Sequence, residues 1–155
     1  MATKTFFSPN EIGTFVAANV NGTLPQMAQT TVASSSAVAT TQMQGLAVYF
    51  TPLNSTRVKL TITGQIAPAA TTVWNVYPSY GTGTAPANAA ATAGTQLTYG
   101  AGGTAATGTQ VDSFSTCNII TGLVVGTQYW FDLETVFSVS TMGALTKLTI
   151  VIEEV

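Results

Sequence analysis

From Gly45 onward, apolar and polar residues alternate with the two-residue period of a half-buried β-strand. In Arg57–Thr63, Val58, Leu60 and Ile62 point one way while Arg57, Lys59, Thr61 and Thr63 point the other, and Gly64 closes the run. Leu46–Phe50 predicts a short strand that stops at Pro52. Thr72–Tyr80 predicts another, with Pro78 turning its end into an edge or a bend. Thr95–Tyr99, Thr109–Phe114 and Cys117–Ile120 read as short strands between glycine-rich turns. The clearest alternation lies in Gln128–Val139. Tyr129, Phe131, Leu133, Thr135, Phe137 and Val139 share one face; Trp130, Asp132, Glu134, Val136 and Ser138 share the other. Lys147–Val155 alternates again, so two long strands about a Met142-Gly143 turn predict a hairpin.

Residues 1–45 lack this clean pattern. Ser8-Pro9-Asn10-Glu11 has the form of a capping box with proline at the first helical position, enough for one helical turn before Gly13 and Thr14. Gln29–Gln42 is small, polar and uncharged, either a strand and loop or an arm ordered against a neighbour. We therefore divide the chain into 1–45, an attachment arm or the first strands, and 46–155, the sandwich domain. In the arm reading Phe6, Phe7, Ile12 and Phe15 are the attachment residues, because that apolar cluster is too small to fold alone.

Six to eight one-faced strands without a convincing long helix predict an all-β fold, an antiparallel β-sandwich, since such sheets must pack on each other. A jelly-roll-like arrangement is preferred. The alternative is a fibronectin- or immunoglobulin-like sandwich, kept open by Leu123–Tyr129, where a tyrosine follows a turn at a strand start as in a tyrosine corner.

Composition changes the picture in one respect. The chain of 155 residues is 46% hydrophobic but only 6% charged, against about 25% charged in ordinary soluble domains. Such a neutral surface offers little colloidal repulsion and favours association with copies or partners. With a net charge of −2 and only scattered Lys4, Arg57, Lys59 and Lys147, the electrostatic basis for nucleic-acid binding is missing. No run of 18 apolar residues reads as a membrane span. The residues after Met1 read as no secretory signal, so assembly in a reducing cytoplasm is expected.

Candidate chemistry is sparse. The chain has no histidine, which removes the usual base, metal ligand and nucleophile partner. Cys117, the single cysteine, reads as a buried small hydrophobe. Asp132 and Glu134 lie on one strand face at a spacing a glycosidase could use, but nothing near them in sequence supplies an apolar pocket, so a solvated or interfacial polar face is expected. Gly100–Thr109 lacks the lysine of a P-loop and reads as a flexible loop. We expect no catalytic residues, no metal and no cofactor, and hence no enzyme. Trp74, Tyr77, Tyr80 and Trp130, with Tyr99, remain as candidates for an interface or for stacking on a glycan.

Tyr80–Asn88, YGTGTAPAN, and Ile120–Leu133, ITGLVVGTQYWFDL, resemble small β-sandwich structural proteins encoded in phage genomes. Those chains often carry a YGTGTAPANG-type loop, then a GLxxGTxYWxDL strand, then a terminal strand ending in glutamate. Here Ala89 stands where glycine is expected, and the ending is Ile152-Glu153-Glu154-Val155; the likeness spans roughly residues 45–155. The resemblance implies a bacteriophage virion structural protein of the capsid decoration (cement), head-fibre or tail-fibre type, typically a homotrimer. Its first expectation is a cement protein that bridges capsomers, bound to copies of itself and to the major capsid protein or other virion proteins. It would sit on the virion surface after assembly in the host cytoplasm, without nucleic acid or membrane. The alternative is a fibre or receptor- or carbohydrate-binding tip.

Overall fold

Strands that are apolar on one face bury that face by stacking sheet on sheet. The computed structural model of the chain, which describes residues 27–36, 41–67, 72–98, 100–105, 111–138 and 144–155, does so with two antiparallel sheets. Its strands are β1 (Met27–Ser36), β2 (Thr41–Met43), β3 (Val48–Phe50), β4 (Val58–Ala67), β5 (Thr72–Thr82), β6 (Thr95–Gln96), β7 (Ala101–Ala105), β8 (Asp112–Ile120), β9 (Tyr129–Phe137) and β10 (Ala144–Glu154). One sheet has the order β1-β10-β4-β8. In the other, β9 and β5 are the central pair. β2 and β3 both lie along the free side of β9, and β6 and β7 along the free side of β5. Each of those pairs is therefore one interrupted edge strand, and both sheets are four strands wide.

Only the step from β5 to the β6/β7 edge stays within a sheet; every other connection between strands of the two sheets crosses from one to the other. That order is a jelly roll, not the fibronectin- or immunoglobulin-like alternative, whose sheets are built from hairpins. The expected β9–β10 hairpin is therefore corrected. β9 pairs with β5, β2 and β3, and β10 with β1 and β4, because each central strand is matched by long-range neighbours in its own sheet.

The division of the chain also changes. β1 pairs with β10 over Met27–Ser36, and β2 pairs with β9, so the described part of residues 1–45 supplies the first strands of the sandwich rather than an arm. The Ser8–Glu11 turn and Phe6, Phe7, Ile12 and Phe15 lie outside the described residues.

The core lies between the sheets. On β4, Val58, Leu60, Ile62 and Ile66 are fully buried; they meet Val76, Phe131 and Leu133 of the facing sheet. Each such side chain contributes about 1.5–3 kcal/mol on leaving water. The alternation of β10 is reset partway. Lys147 (φ 52°) and Leu148 stand opposite the single residue Gly64, a β-bulge between Thr146 and Thr149, so Leu145 faces the core on one side of it and Leu148, Ile150 and Ile152 on the other. Gly64 leaves the room this needs: a Cβ there would lie 2.8 Å from Phe114 and 2.9 Å from Leu148.

Three further expectations shift for identifiable reasons. Asp112–Phe114 of the expected strand Thr109–Phe114, and Cys117–Ile120, are parts of the single strand β8, while Thr109 and Gln110 lie outside the described residues; its inward row is Phe114, Thr116, Asn118 and Ile120, and the two polar members break the apolar signal. The glycine-rich run read as a flexible loop contains β7, because β7 lies so close to β5 that a Cβ on Gly103 would sit 2.9 Å from the Trp74 ring. Pro78 is inside a central strand. Its carbonyl accepts from Leu97 N–H at 2.8 Å, so its missing N–H faces the gap where β6 ends and β7 has not begun.

Ile62→Ala should lower the unfolding free energy in urea by about 2–5 kcal/mol, against less than about 0.5 for the exposed neighbour Thr63→Ala. Gly64→Val should cost about 1–3 kcal/mol by overpacking Phe114 and Leu148.

Candidate functional site

Every residue of β9 up to Thr135 is buried, on both faces. Its odd residues face the core. Its even residues, Trp130, Asp132 and Glu134, face outward and are buried there. What covers them is the uncharged 83–94 connection, which leaves the end of β5 and folds back over the sheet. Met43 N–H donates to Ala90 O at 3.0 Å and Ala89 N–H donates to Met43 O at 3.0 Å, tying the connection to β2. The Trp130 indole lies beneath it: a Cβ on Gly94 would be 2.5 Å from the ring, and one on Gly81 2.6 Å. Trp130 Nε1–H donates to Thr82 O at 3.2 Å.

Asp132 is completely buried. Its two oxygens accept from Gly45 N–H (3.0 Å), Leu46 N–H (3.1 Å) and Leu133 N–H (2.7 Å). The Gly45 and Leu46 donors are free because the edge strand breaks between β2 and β3. Gly45 alone can make that turn, since φ is 63° and a Cβ would lie 2.3 Å from Asn88 N. Burial pushes the Asp132 carboxyl up to about 6, against the three N–H donors, which pull it down. Glu134 is also raised by burial, against a hydrogen bond from Gln96 Nε2 at 3.0 Å. Glu134 lines a pocket of about 190 Å³ with Thr92, Ala93, Gly94 and Gln96; Asp132 is not among its walls. The two carboxylates thus take different structural parts; of the solvated or interfacial face expected for them, the solvated alternative is corrected, because the 83–94 connection covers that face.

The aromatic candidates separate. Trp74 is in the core beside Phe114, with Nε1–H donating to Asp112 Oδ2 at 2.9 Å. It closes the inner end of a groove of about 620 Å³ between β7 and β8. Tyr80 packs against the core, stacked on Phe131 with ring centroids 6.0 Å apart. Trp130 is sealed as described, and half-buried Tyr77 lies outward opposite Glu134. Neither tryptophan offers an open ring face. Tyr99 lies outside the described residues. Cys117 is corrected from buried to exposed, because inward Thr116 and Asn118 turn it outward on β8. Among the described residues no three His, Cys, Asp or Glu side chains gather as a metal site.

The second built region is the end of the sandwich where β3–β4, β8–β9 and the last strand meet. Buried Glu154 holds the 51–57 turn: Oε1 accepts from the N–H groups of Leu53, Asn54 (2.8 Å) and Ser55 (3.3 Å), and Oε2 from Asn54 Nδ2 (3.1 Å). Gly126 N–H donates to Pro52 O (2.8 Å) and Leu123 N–H to Thr56 O (3.0 Å), joining the two loops. Tyr129 OH accepts from Val124 N–H at 3.0 Å, the bond expected of a tyrosine corner, here within a jelly roll. These bonds hold the loops that carry Leu53, Val124 and Val125 at this end, each between 45% and 60% exposed, while Ile119, second to last in β8, is 49% exposed on the outer face of its sheet. Sequence reasoning missed this rim. Its only signal was an aliphatic Leu-Val-Val run inside a turn.

No protein-family model matches the chain, and no curated protein matches it in sequence.

For Asp132, the native carboxyl binds a proton up to about pH 6, the unfolded one only to about its model value of 3.8. The folded state therefore holds more protons in that window, and this group's contribution to stability falls as pH rises through it. The stability difference between wild type and Asp132→Asn should be larger at pH 4.5 than at pH 7.5, by on the order of 2 kcal/mol. Urea titrations of both proteins at the two pH values measure it.

Proposed function

We propose that the chain is a bacteriophage virion structural protein, a capsid decoration (cement) protein that bridges capsomers as a homotrimer. The observation that carries the reading is the pairing of a rigid jelly roll with a surface almost without charge and an aliphatic rim at one end. Such a surface is poorly suited to a free monomer and well suited to burial against several partners at once, where weak contacts add through multivalency. The phage-type loop and strand resemblance at Tyr80–Asn88 and Ile120–Leu133 supports the virion context. Both segments are structural in this fold: the first begins the cover over β9, and the second forms the tyrosine corner and β9 itself. The reading is of a non-enzyme without cofactor, bound to the major capsid protein or other virion proteins on the particle surface; the lack of any histidine supports it.

The fibre or receptor-binding tip is the second reading. It would need open aromatic faces for sugar stacking, and of the candidates among the described residues only Tyr77 stands half-exposed on an outer face. Glycan-array binding lost in Tyr77→Ala would favour it.

The cement reading expects empty capsids of the encoding phage to lose heat resistance when the protein is absent and to regain it when purified protein is added back. Equal heat resistance with and without it would overturn the proposal. The homotrimer expectation is a sedimenting species of three 15.9 kDa chains at micromolar concentration; a stable monomer would refute it.

A further inference from the structure

We infer that β8 pairs with the β8 of a second copy of this chain, the two strands running antiparallel about a two-fold axis at Thr116 and joining two β1-β10-β4-β8 sheets into one. A two-fold contact is separate from the three-fold one proposed above and would link one trimer to the next, so the inference goes beyond that reading. Its first support is the edge itself. β8 is the outermost strand of its sheet, and among the described residues nothing pairs with its outer side. That edge is nine consecutive residues, Asp112–Ile120, with no proline, lysine or break in register. An edge of this kind is a template for a further strand.

The second support is a hydroxyl without a partner. Thr116, at the middle of the strand, faces inward and is buried, and its Oγ1 has no hydrogen-bond partner. Such a group is unfavourable until it is paired. Antiparallel pairing about Thr116 sets the two Thr116 side chains directly opposite on the inward face, with Cβ atoms about 4.5–5.5 Å apart, where one hydroxyl can donate to the other. The third support is charge. Asp112 is the only charged residue of β8. In the antiparallel pair each Asp112 lies opposite Ile120 of the other copy; Ile120 pairs with Val58, so that copy's exposed Arg57 stands at the same end. Parallel pairing in register would instead set the two aspartates side by side. Lys59, opposite Ile119 on β4, is already paired with Glu153 at 2.8 Å. There is also room. Asp112–Ser115 border the groove of about 620 Å³ whose other wall, Gly100–Thr104, has glycine at three of five positions, so no large side chain there holds a second copy away.

The lone thiol of exposed Cys117 reports the contact in the full-length chain. In the pair, Cys117 lies opposite Ser115 of the other copy, and the two Cys117 residues are diagonal neighbours about 7–8 Å apart. A short bis-maleimide should therefore convert wild type at micromolar concentration into covalent dimers. Ser115→Cys should form disulfide-linked dimers on mild oxidation without a linker, since directly opposite Cα atoms lie about 4.5–5.5 Å apart. Thiols two residues apart on one extended strand stand about 7 Å apart, too far to close within the chain. Ser113→Lys with Ser115→Lys, on exposed positions, should leave the urea midpoint unchanged and slow dimer formation by on the order of tenfold relative to single-ended labelling. Wild type whose thiol is labelled without forming dimers overturns the contact, whether the edge is closed by its own chain, by β1 of another copy or by nothing. Dimers that the two lysines do not slow are chance encounters and overturn it as well. Wild-type dimers without disulfides in Ser115→Cys overturn the register about Thr116. Sedimentation reads the assembly proposal separately: trimers without crosslinking keep that proposal and remove this contact, and crosslinked dimers without trimers do the reverse.

Discussion

The buried carboxylate of Asp132 is the constraint on which the arrangement of one whole sheet turns. An ionised group taken out of water is tolerated only if donors replace the water it loses. In a continuous sheet the neighbouring backbone N–H groups are already used. Here two of them are freed, at Gly45 and Leu46, because the edge strand is broken into β2 and β3. The break therefore serves the carboxylate, and the carboxylate holds the break. The same turn brings Gly45 so close to Asn88 that no side chain fits between them, which docks the 83–94 connection on top. Cover, break and buried charge are one unit.

That unit explains why β9 could be read only halfway from sequence. Its odd face, Tyr129 to Phe137, was legible because a core face is apolar and strictly periodic. Its even face was read as solvated or interfacial because it carries two carboxylates. The contrary signal was Trp130 on that same face, together with a long connection, GTGTAPANAAAT, that has no charge to keep it in water. A tryptophan beside an acid on the outer face of a central strand asks for a cover, and the uncharged connection supplies it.

Other losses of legibility have different physics. β7 was hidden because glycine is there to let β5 approach, and glycine carries no hydrophobic signal. β8 was split because Thr116 and Asn118 occupy inward positions on the outermost strand of its sheet, where polar residues are more easily accommodated than at the centre. The last two strands were taken for neighbours because a short connection between long strands usually means a hairpin. Whether such a connection folds flat or arches between sheets depends on partners far away in sequence, β1 for one strand and β5 for the other. The tyrosine corner was read correctly as a local device, yet it says little about topology, since Tyr129 needs only the preceding turn to make its bond.

The two sheets also differ in how they end, and this bears on association. Edge strands expose unpaired backbone groups, and proteins that remain monomeric blunt them with bulges, breaks, proline or charge. The β5–β9 sheet is interrupted at both edges: by the Asp132-held turn between β2 and β3, and by the gap at Pro78 between β6 and β7. The other sheet has no such break. β1 pairs on one side over 10 residues and β8 over 9, and among the described residues nothing pairs with their far sides. Ser113, Ser115 and Cys117 face outward along β8, without a lysine or proline in the strand. In a chain with 6% charged residues, hydroxyl groups are then the main defence of that edge. A free monomer is poorly protected by them, and an assembled protein whose neighbours cover this side has no need of more. With so few charges along them, the two outer strands of the β1-β10-β4-β8 sheet are where a further strand would meet the least resistance to pairing.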